Sequence, residues 1–462
     1  MQDYDKSKVE YERLSSGTKY YVEKTDAHEE TKISTPSFQQ IFADIPVSGG
    51  VVSFCDFRNG VIYFSSLDTY VYAVDSRTGK MIWKFMTGGP VMSTPLIHNN
   101  RIYFGSHDGC FYCLGLDGKI LWKKYTGDII VAPPIGIGNK IFVGNGRGHF
   151  FCFTEEGKVE WSVMTGDAIV NVPSAVNGLI FVGSYDKNLY AFDMDGAIQW
   201  KFIAGERIYS PVIFENTRPL FTRQLRSWHK MPEAENPLLF SPSYDNNLYA
   251  FGIEGNVLWK FNCGTSLTPW IGGGNGIIHC GTISGYVYAI DITGVEKWKF
   301  RTNGMVYGCS AVKNGNVYFT SFDQKLYCLS ETGEKIWDFL TGGPIGRPPS
   351  IVGDKIYFGS SDTFLYCLNI EKRNVEWTFR CGSGLPNSHI NMTKVANILA
   401  EYDKKVFRAW VPETGVKNSE PAKFANYDGK LGLDNTFAYG GLSAYSSKTD
   451  YTNRGKKDAY RK

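Results

Sequence analysis

The sequence predicts an all-β protein, a single closed β-propeller of four-stranded blades, and three observations predict it. The phrase Gly79-Lys80-Met81-Ile82-Trp83-Lys84-Phe85-Met86-Thr87-Gly88 returns around Trp122, Trp161, Trp200, Trp259, Trp298, Trp337 and Trp377, with successive tryptophans 39, 39, 39, 59, 39, 39 and 40 residues apart. A fixed period of this length marks a repeat in which each copy is one supersecondary unit. The copies share an upstream pattern, clearest in Arg101-Ile102-Tyr103-Phe104-Gly105-Ser106-His107-Asp108-Gly109 followed by Phe111-Tyr112-Cys113-Leu114. It reads as strand, Asp-centred turn, strand, then a Gly turn into the tryptophan strand. No helical period lies between the copies, and four short strands per unit describe a propeller blade.

Residues 1–37 are polar and charge-mixed and read as an N-terminal arm. The propeller follows over residues 38–414. Ile41 to Gly50 aligns with the outer strand of the next copy, so it reads as a lone fourth strand. Complete units run over about 49–88, 89–127, 128–166, 167–205, 206–264, 265–303, 304–342 and 343–382, eight full repeats. Each transition places an aliphatic residue eight positions after the preceding tryptophan: Val91, Ile130, Ile169, Ile208, Leu267, Val306 and Ile345. A residue fixed in that register packs between blades. The long interval comes from an insert, residues 215–237 of the fifth full blade, carrying Arg218, Arg223, Arg226, Trp228, His229 and Lys230. Blade order places it between first and second strands, opposite the Asp turns. There it is a binding-face decoration or a solvated loop. After Trp377 the chain starts three further strands and no fourth. Three strands at one end and one at the other predict a composite ninth blade, since closing a ring removes exposed sheet edges. Eight blades with a stray C-terminal sheet is the alternative.

Residues 415–462 form a basic, Tyr- and Gly-rich tail with nine Lys or Arg against five Asp or Glu, which leaves the rest of the chain at −1 of its +3 total. A total of +3 is too small to imply nucleic acid, and no nucleic-acid partner is expected. No apolar run approaches the roughly 18 residues that span a bilayer, and the polar start Met1-Gln2-Asp3-Tyr4 has no leader-like h-region. The expectation is a cytoplasmic protein. Of its ten cysteines, Cys113, Cys152, Cys328 and Cys367 fill the third-strand slot held elsewhere by Ala73, Ala191, Ala250 and Ala289, while Cys263 and Cys381 replace a Thr. They read as compact core residues. Cys110 and Cys113 fall on opposite faces of one strand, no second pair completes a zinc set, and no metal site is expected.

The unit Tyr72-Ala73-Val74-Asp75-Ser76-Arg77-Thr78-Gly79-Lys80-Met81-Ile82-Trp83 resembles the PQQ-like propeller repeat, whose consensus runs through Ala-x-Asp, Thr-Gly-Lys and Trp before Thr-Gly. The resemblance covers about 49–411. WD40 repeats fit worse, because Trp-Asp occurs at a motif tryptophan only in Trp337-Asp338. The family comprises quinoprotein alcohol dehydrogenases, which bind PQQ and calcium, and BamB-like propellers that serve as binding platforms. The dehydrogenases carry an adjacent Cys-Cys pair, which this sequence lacks. Once-per-blade aspartates (Asp68, Asp108, Asp186, Asp245, Asp323, Asp362) are spread by ring symmetry and suit turns rather than one calcium ion. No His-Glu-x-x-His or nucleophile elbow appears. No cofactor and no catalytic set are expected.

Residues nine or ten after each tryptophan enter the innermost strand near the axis: Met92, Ser93, Val131, Asn171, Tyr209, Thr268, Tyr307, Arg347 and Asn387, with His389 close by. Asn171, Tyr209, Tyr307, Arg347 and His389 are the candidate ligand or partner residues there. Arg223, Arg226 and Trp228 of the insert, with Tyr439, Tyr445 and Tyr451 of the tail, are a second candidate set. The expected function is a non-enzymatic protein-interaction scaffold, a component of a larger assembly that meets other proteins through the terminal arms and a propeller face. The alternative is a peptide or small-molecule receptor using the axial pocket, and behind it a PQQ-dependent dehydrogenase.

Overall fold

The computed structural model describes residues 9–13, 19–23, 50–51, 53–221 and 226–382. All regular structure in them is β. Eight blades follow one another, each an antiparallel meander of four strands from the axis outward. The second blade is typical: Leu96–His98, Arg101–Gly105, Cys110–Gly115 and Ile120–Tyr125. The middle strands are apolar and buried at nearly every position, whereas the outer strand buries alternate residues only partly. This is the pattern of sheets stacked face to face around a ring, open only at the rim.

Tryptophan carries the blade-to-blade contact. Seven indole N–H groups donate to a backbone carbonyl of the next blade at 2.7–3.1 Å, as in Trp83 to Leu116 and Trp122 to Glu155. Each ring lies flat on the next blade's turn glycine, so close that a Cβ on Gly118 would stand 2.6 Å from the Trp83 ring. That glycine has φ of +81°, a conformation in which a side chain is strained as well as obstructed. The aspartates form a second latch. The Asp186 carboxylate accepts from Gly166 N of the preceding blade at 2.6 Å, from Asn188 N of its own turn and from the Tyr190 hydroxyl. Asp108, Asp245, Asp323 and Asp362 repeat this arrangement. The aliphatic residues eight places after tryptophan are completely buried, Ile169 against Gly144 of its neighbour among them.

The ring closes between the eighth blade and the first by the same contacts used elsewhere. Trp377 Nε1 donates to Ser76 O at 3.1 Å, its ring lies on Gly79, and Val51 N donates to Ser360 O at 3.2 Å. One core cluster unites Val51, Ile62, Phe64 and Tyr72 with Tyr357, Leu365 and Cys367. The propeller therefore has eight blades, and a composite ninth has no gap to occupy. The segments expected to build it, 41–49 and 383–411, lie outside the described residues apart from closure at Gly50 and Val51. Within the N-terminal arm, Val9–Arg13 pairs with Lys19–Glu23 as an antiparallel hairpin, where the sequence reading assigns no strand. All nine described cysteines are free thiols, and burial pushes those of Cys113, Cys152 and Cys367 up to about 12.

Two predictions follow from this packing. The turn slot that holds glycine under the other tryptophans holds Arg373 in the eighth blade, at φ +55°. Its amide closes the same turn on Asn369 O at 2.9 Å that Gly79 closes on Asp75 O at 2.8 Å. A left-handed non-glycine residue costs roughly 1–2 kcal/mol, so Arg373→Gly is expected to raise unfolding stability by about 1 kcal/mol in urea titrations. His107 and His279 are buried, and desolvation pushes their imidazoles down to about 4 and about 3. Both are neutral in the fold, so their stability contribution is full above the ordinary histidine value of about 6.5 and is lost as pH falls through the interval below it. Urea stability at pH 5 is expected to be lower than at pH 7 by about 2 kcal/mol per histidine. Replacing His107 by Gln should flatten that slope.

Candidate functional site

Chain direction fixes what each end of the axis receives. The link from one blade's outer strand to the next blade's inner strand runs beside the Asp turns, as the Gly88 N to Asp108 bond requires. The link from first to second strand lies at the opposite end, and the long insert is such a link.

At the Asp-turn end, Asn171, Tyr209, Tyr307 and Arg347 do converge on the axis, but as buried side chains, between 1% and 4% exposed. The Arg347 guanidinium stands 5.0 Å from the Trp270 ring and 5.9 Å from those of Phe54 and Tyr307. Phe54 of the first blade and Trp270 of the sixth meet edge to face at 4.7 Å, so the ring is spanned by an aromatic contact. Asn171 Nδ2 donates to Pro269 O at 3.0 Å. Tyr209 sits between the rings of Tyr185 and Tyr244, and Arg207 lies over both, 4.7 and 5.6 Å away. Burial pushes the Tyr209 and Tyr307 phenols up and the Arg347 guanidinium down. Ser93 and Thr268 hold neighbouring blades together, donating to Ala132 O and Val306 O. His389 and Asn387 lie outside the described residues.

Sequence reasoning missed Phe54 and Trp270. A signal existed one position beyond the residues singled out: that slot holds Thr94, Pro133, Val172, Pro211, Cys309 and Pro348 elsewhere, and is bulky only at these two.

The opposite end is closed by the insert, which is neither a solvated loop nor a plain decoration. Arg218–Phe221 adds a fifth strand to the inner edge of the fifth blade. The chain then reaches the far side, where Ser227–Trp228 pairs in parallel with the inner strand of the third blade. Arg226 is 4% exposed and joins three blades. It forms an ion pair with Asp56 at 3.1 Å and donates to Thr94 O, Pro95 O and Pro134 O. Burial pushes the Asp56 carboxyl up and the Arg226 guanidinium down, each partly offset by the other. Ser227 Oγ meets His98 Nδ1 at 2.8 Å, and the return passes the fourth blade, where Asn177 N donates to Pro232 O at 2.9 Å. Beside this strap lies an open groove of about 660 Å³ lined by Asn177, Glu215, Met231, Glu233 and Glu235. The structure thus places Arg226 and Trp228 inside the propeller's architecture. Arg223, Tyr439, Tyr445 and Tyr451 lie outside the described residues.

Eight stacked meanders, latched by tryptophan on glycine and closed without a composite seam, define a propeller of PQQ-like blades. The chain belongs to the family described as outer membrane protein assembly factor BamB, whose profile matches residues 19–128, 117–220, 244–378 and 283–408. Among solved structures, BamB from Moraxella catarrhalis is 18% identical, with a TM-score of 0.54 over 67% of this chain and 91% of that one. The quinohemoprotein alcohol dehydrogenase of Comamonas testosteroni is 14% identical, with a TM-score of 0.56 over 67% and 70%. The computationally designed protein Ika8 is 13% identical, with a TM-score of 0.59 over 71% and 98%. These likenesses establish the shared fold. A comparison with curated protein sequences gives no match.

Removing one partner of a buried ion pair leaves the other charge uncompensated, at a cost of about 3–5 kcal/mol. Arg226→Ala is therefore expected to lower unfolding stability by an amount of that order. Arg226→Met combined with Asp56→Leu should recover most of it, measured by urea unfolding.

Proposed function

We infer that the chain is a non-enzymatic interaction scaffold, an intracellular propeller component of a larger protein assembly, held there by its terminal arms and one face of the ring. The observation that carries this reading is an asymmetry of the rim. Three residues after the tryptophan, blades one to four expose Met86, Tyr125, Met164 and Ile203, each between 63% and 67% accessible. The same register holds Asn262, Arg301 and Arg380 in blades five, six and eight, with Leu340 between them in blade seven. Exposed aliphatic, Met and Tyr side chains with cationic neighbours suit a protein partner.

Four further points support it. The family takes its description from an assembly factor. The axis is spanned by Phe54 and Trp270, which leaves little room for a planar redox cofactor. Nine free cysteines suit a reducing compartment. The basic tail from Gly415 supplies Tyr anchors with Lys and Arg around them, and ordering it on a partner costs on the order of 1–2 kcal/mol per residue, so that contact is extensive.

Pull-downs that compare the full chain with one ending at Gly415 test the reading. The shortened protein is expected to lose its partners while its circular dichroism and tryptophan fluorescence stay unchanged. Should it keep them all, and Arg347→Ala lose them, the arms are not the attachment and the axial end is.

A further inference from the structure

The tryptophan latches also shape the outside of the ring. Because the Trp83 ring lies on Gly118, the residues next to those two in the chain come together at the rim of blades one and two. On the first blade they are Lys80, Met81 and Ile82, and on the second Lys119, Ile120 and Leu121. Met81, Ile82, Ile120 and Leu121 are between 46% and 53% exposed. Single apolar residues at a surface are ordinary, but two pairs flanking one latch make a continuous strip. Blade five has a similar pair in Val257 and Leu258, yet its neighbours put Gln199 on one side and Glu296 with Lys297 on the other.

The strip is bordered by positive charge. Over 75–86 and 116–125 the exposed cations are Arg77, Lys80, Lys84, Lys119, Lys123 and Lys124, against two carboxylates, Asp75 and Asp117. Asp75 is engaged within its own turn, accepting from Thr78 Oγ1 at 2.7 Å, and Asp117 pairs with Lys119 at 3.1 Å. Five of the six cations are lysines. Lysine is depleted at protein–protein interfaces, where arginine is favoured. Long lysine stems beside apolar side chains suit a bilayer surface instead: the apolar groups enter the headgroup layer while the ammonium groups stay among anionic lipid heads.

We propose that the rim of blades one and two is a docking surface for a bilayer containing anionic lipid, entered by Met81, Ile82, Ile120 and Leu121 and held electrostatically by the lysines around them. This contact goes beyond the scaffold reading. It uses neither the basic tail nor the Asp-turn end of the rim, where Met86 pairs with Tyr70 and Tyr125 with Cys110.

Co-sedimentation of the full chain with vesicles of phosphatidylcholine alone, and of phosphatidylcholine mixed with phosphatidylserine, tests this. Binding is expected to the mixed vesicles only, and it weakens as salt rises. The tail is itself basic, so the deciding comparison uses full-length variants in which the tail is intact. Ile82→Gln with Leu121→Gln removes apolar contact at unchanged charge and should weaken binding about tenfold. Lys80→Gln with Lys123→Gln should weaken it to a similar degree. Circular dichroism and melting curves check the fold of both double variants, and if one does not fold the other decides. Equal binding to both kinds of vesicle, or undiminished affinity in a folded double variant, overturns the proposal. So does a failure to bind the mixed vesicles, which leaves a protein as the partner of the strip.

Discussion

Everything in this molecule depends on how one blade grips the next, and the grip is an indole ring pressed flat on a backbone turn. At seven of the eight positions the ring rests on a glycine, which supplies a left-handed backbone and the absence of a Cβ at once. The N–H at the ring's edge then reaches a carbonyl 33 residues on, as Trp83 reaches Leu116. Apolar contact, steric fit and a directional bond coincide in one side chain. The aspartate latch works at the opposite end of the same blade-to-blade boundary, using one carboxylate to shape its own turn and bind its neighbour. Where both are present they fix a blade's orientation relative to the last, and eight steps around the ring bring the chain back to its start.

That geometry explains what could be read in the amino-acid sequence. Local rules generate the blades: the tryptophan period, the Asp turns and the buried third-strand cysteines follow from repeat register, and the structure bears each of them out. The family resemblance was legible on the same residues, because they are the ones that build the latch. Blade number was less legible. Closure is a property of the accumulated angle, and no single copy encodes whether Trp377 meets Gly79 or a further blade. The strands that prompted a ninth copy resemble the repeat, but the seam they would enter is already filled by Val51 and Tyr357.

The axial end and the insert show the other limit. Counting from each tryptophan placed Asn171, Tyr209, Tyr307 and Arg347 at the axis correctly. The count could not say that Phe54 and Trp270, on blades one and six, would meet there, because that contact depends on residues far apart in sequence. Arg226 stood in the insert as a candidate partner residue. Its partner Asp56 lies 170 residues away and in an unremarkable strand, so only the folded ring pairs them. Long-range contacts of this kind leave no periodic trace.

Cross-ring contacts change what sort of object the propeller is. A stack of repeats that touch only their neighbours melts piecemeal, since each interface contributes independently. Here the strap ties the fifth blade to the first, second, third and fourth, while Phe54, Trp270 and Arg347 tie the first, sixth and eighth across the centre. Loss of one blade therefore strands contacts belonging to several others. The eight copies lose their independence and behave as a single cooperative unit, with chords across the circle as well as links along its circumference.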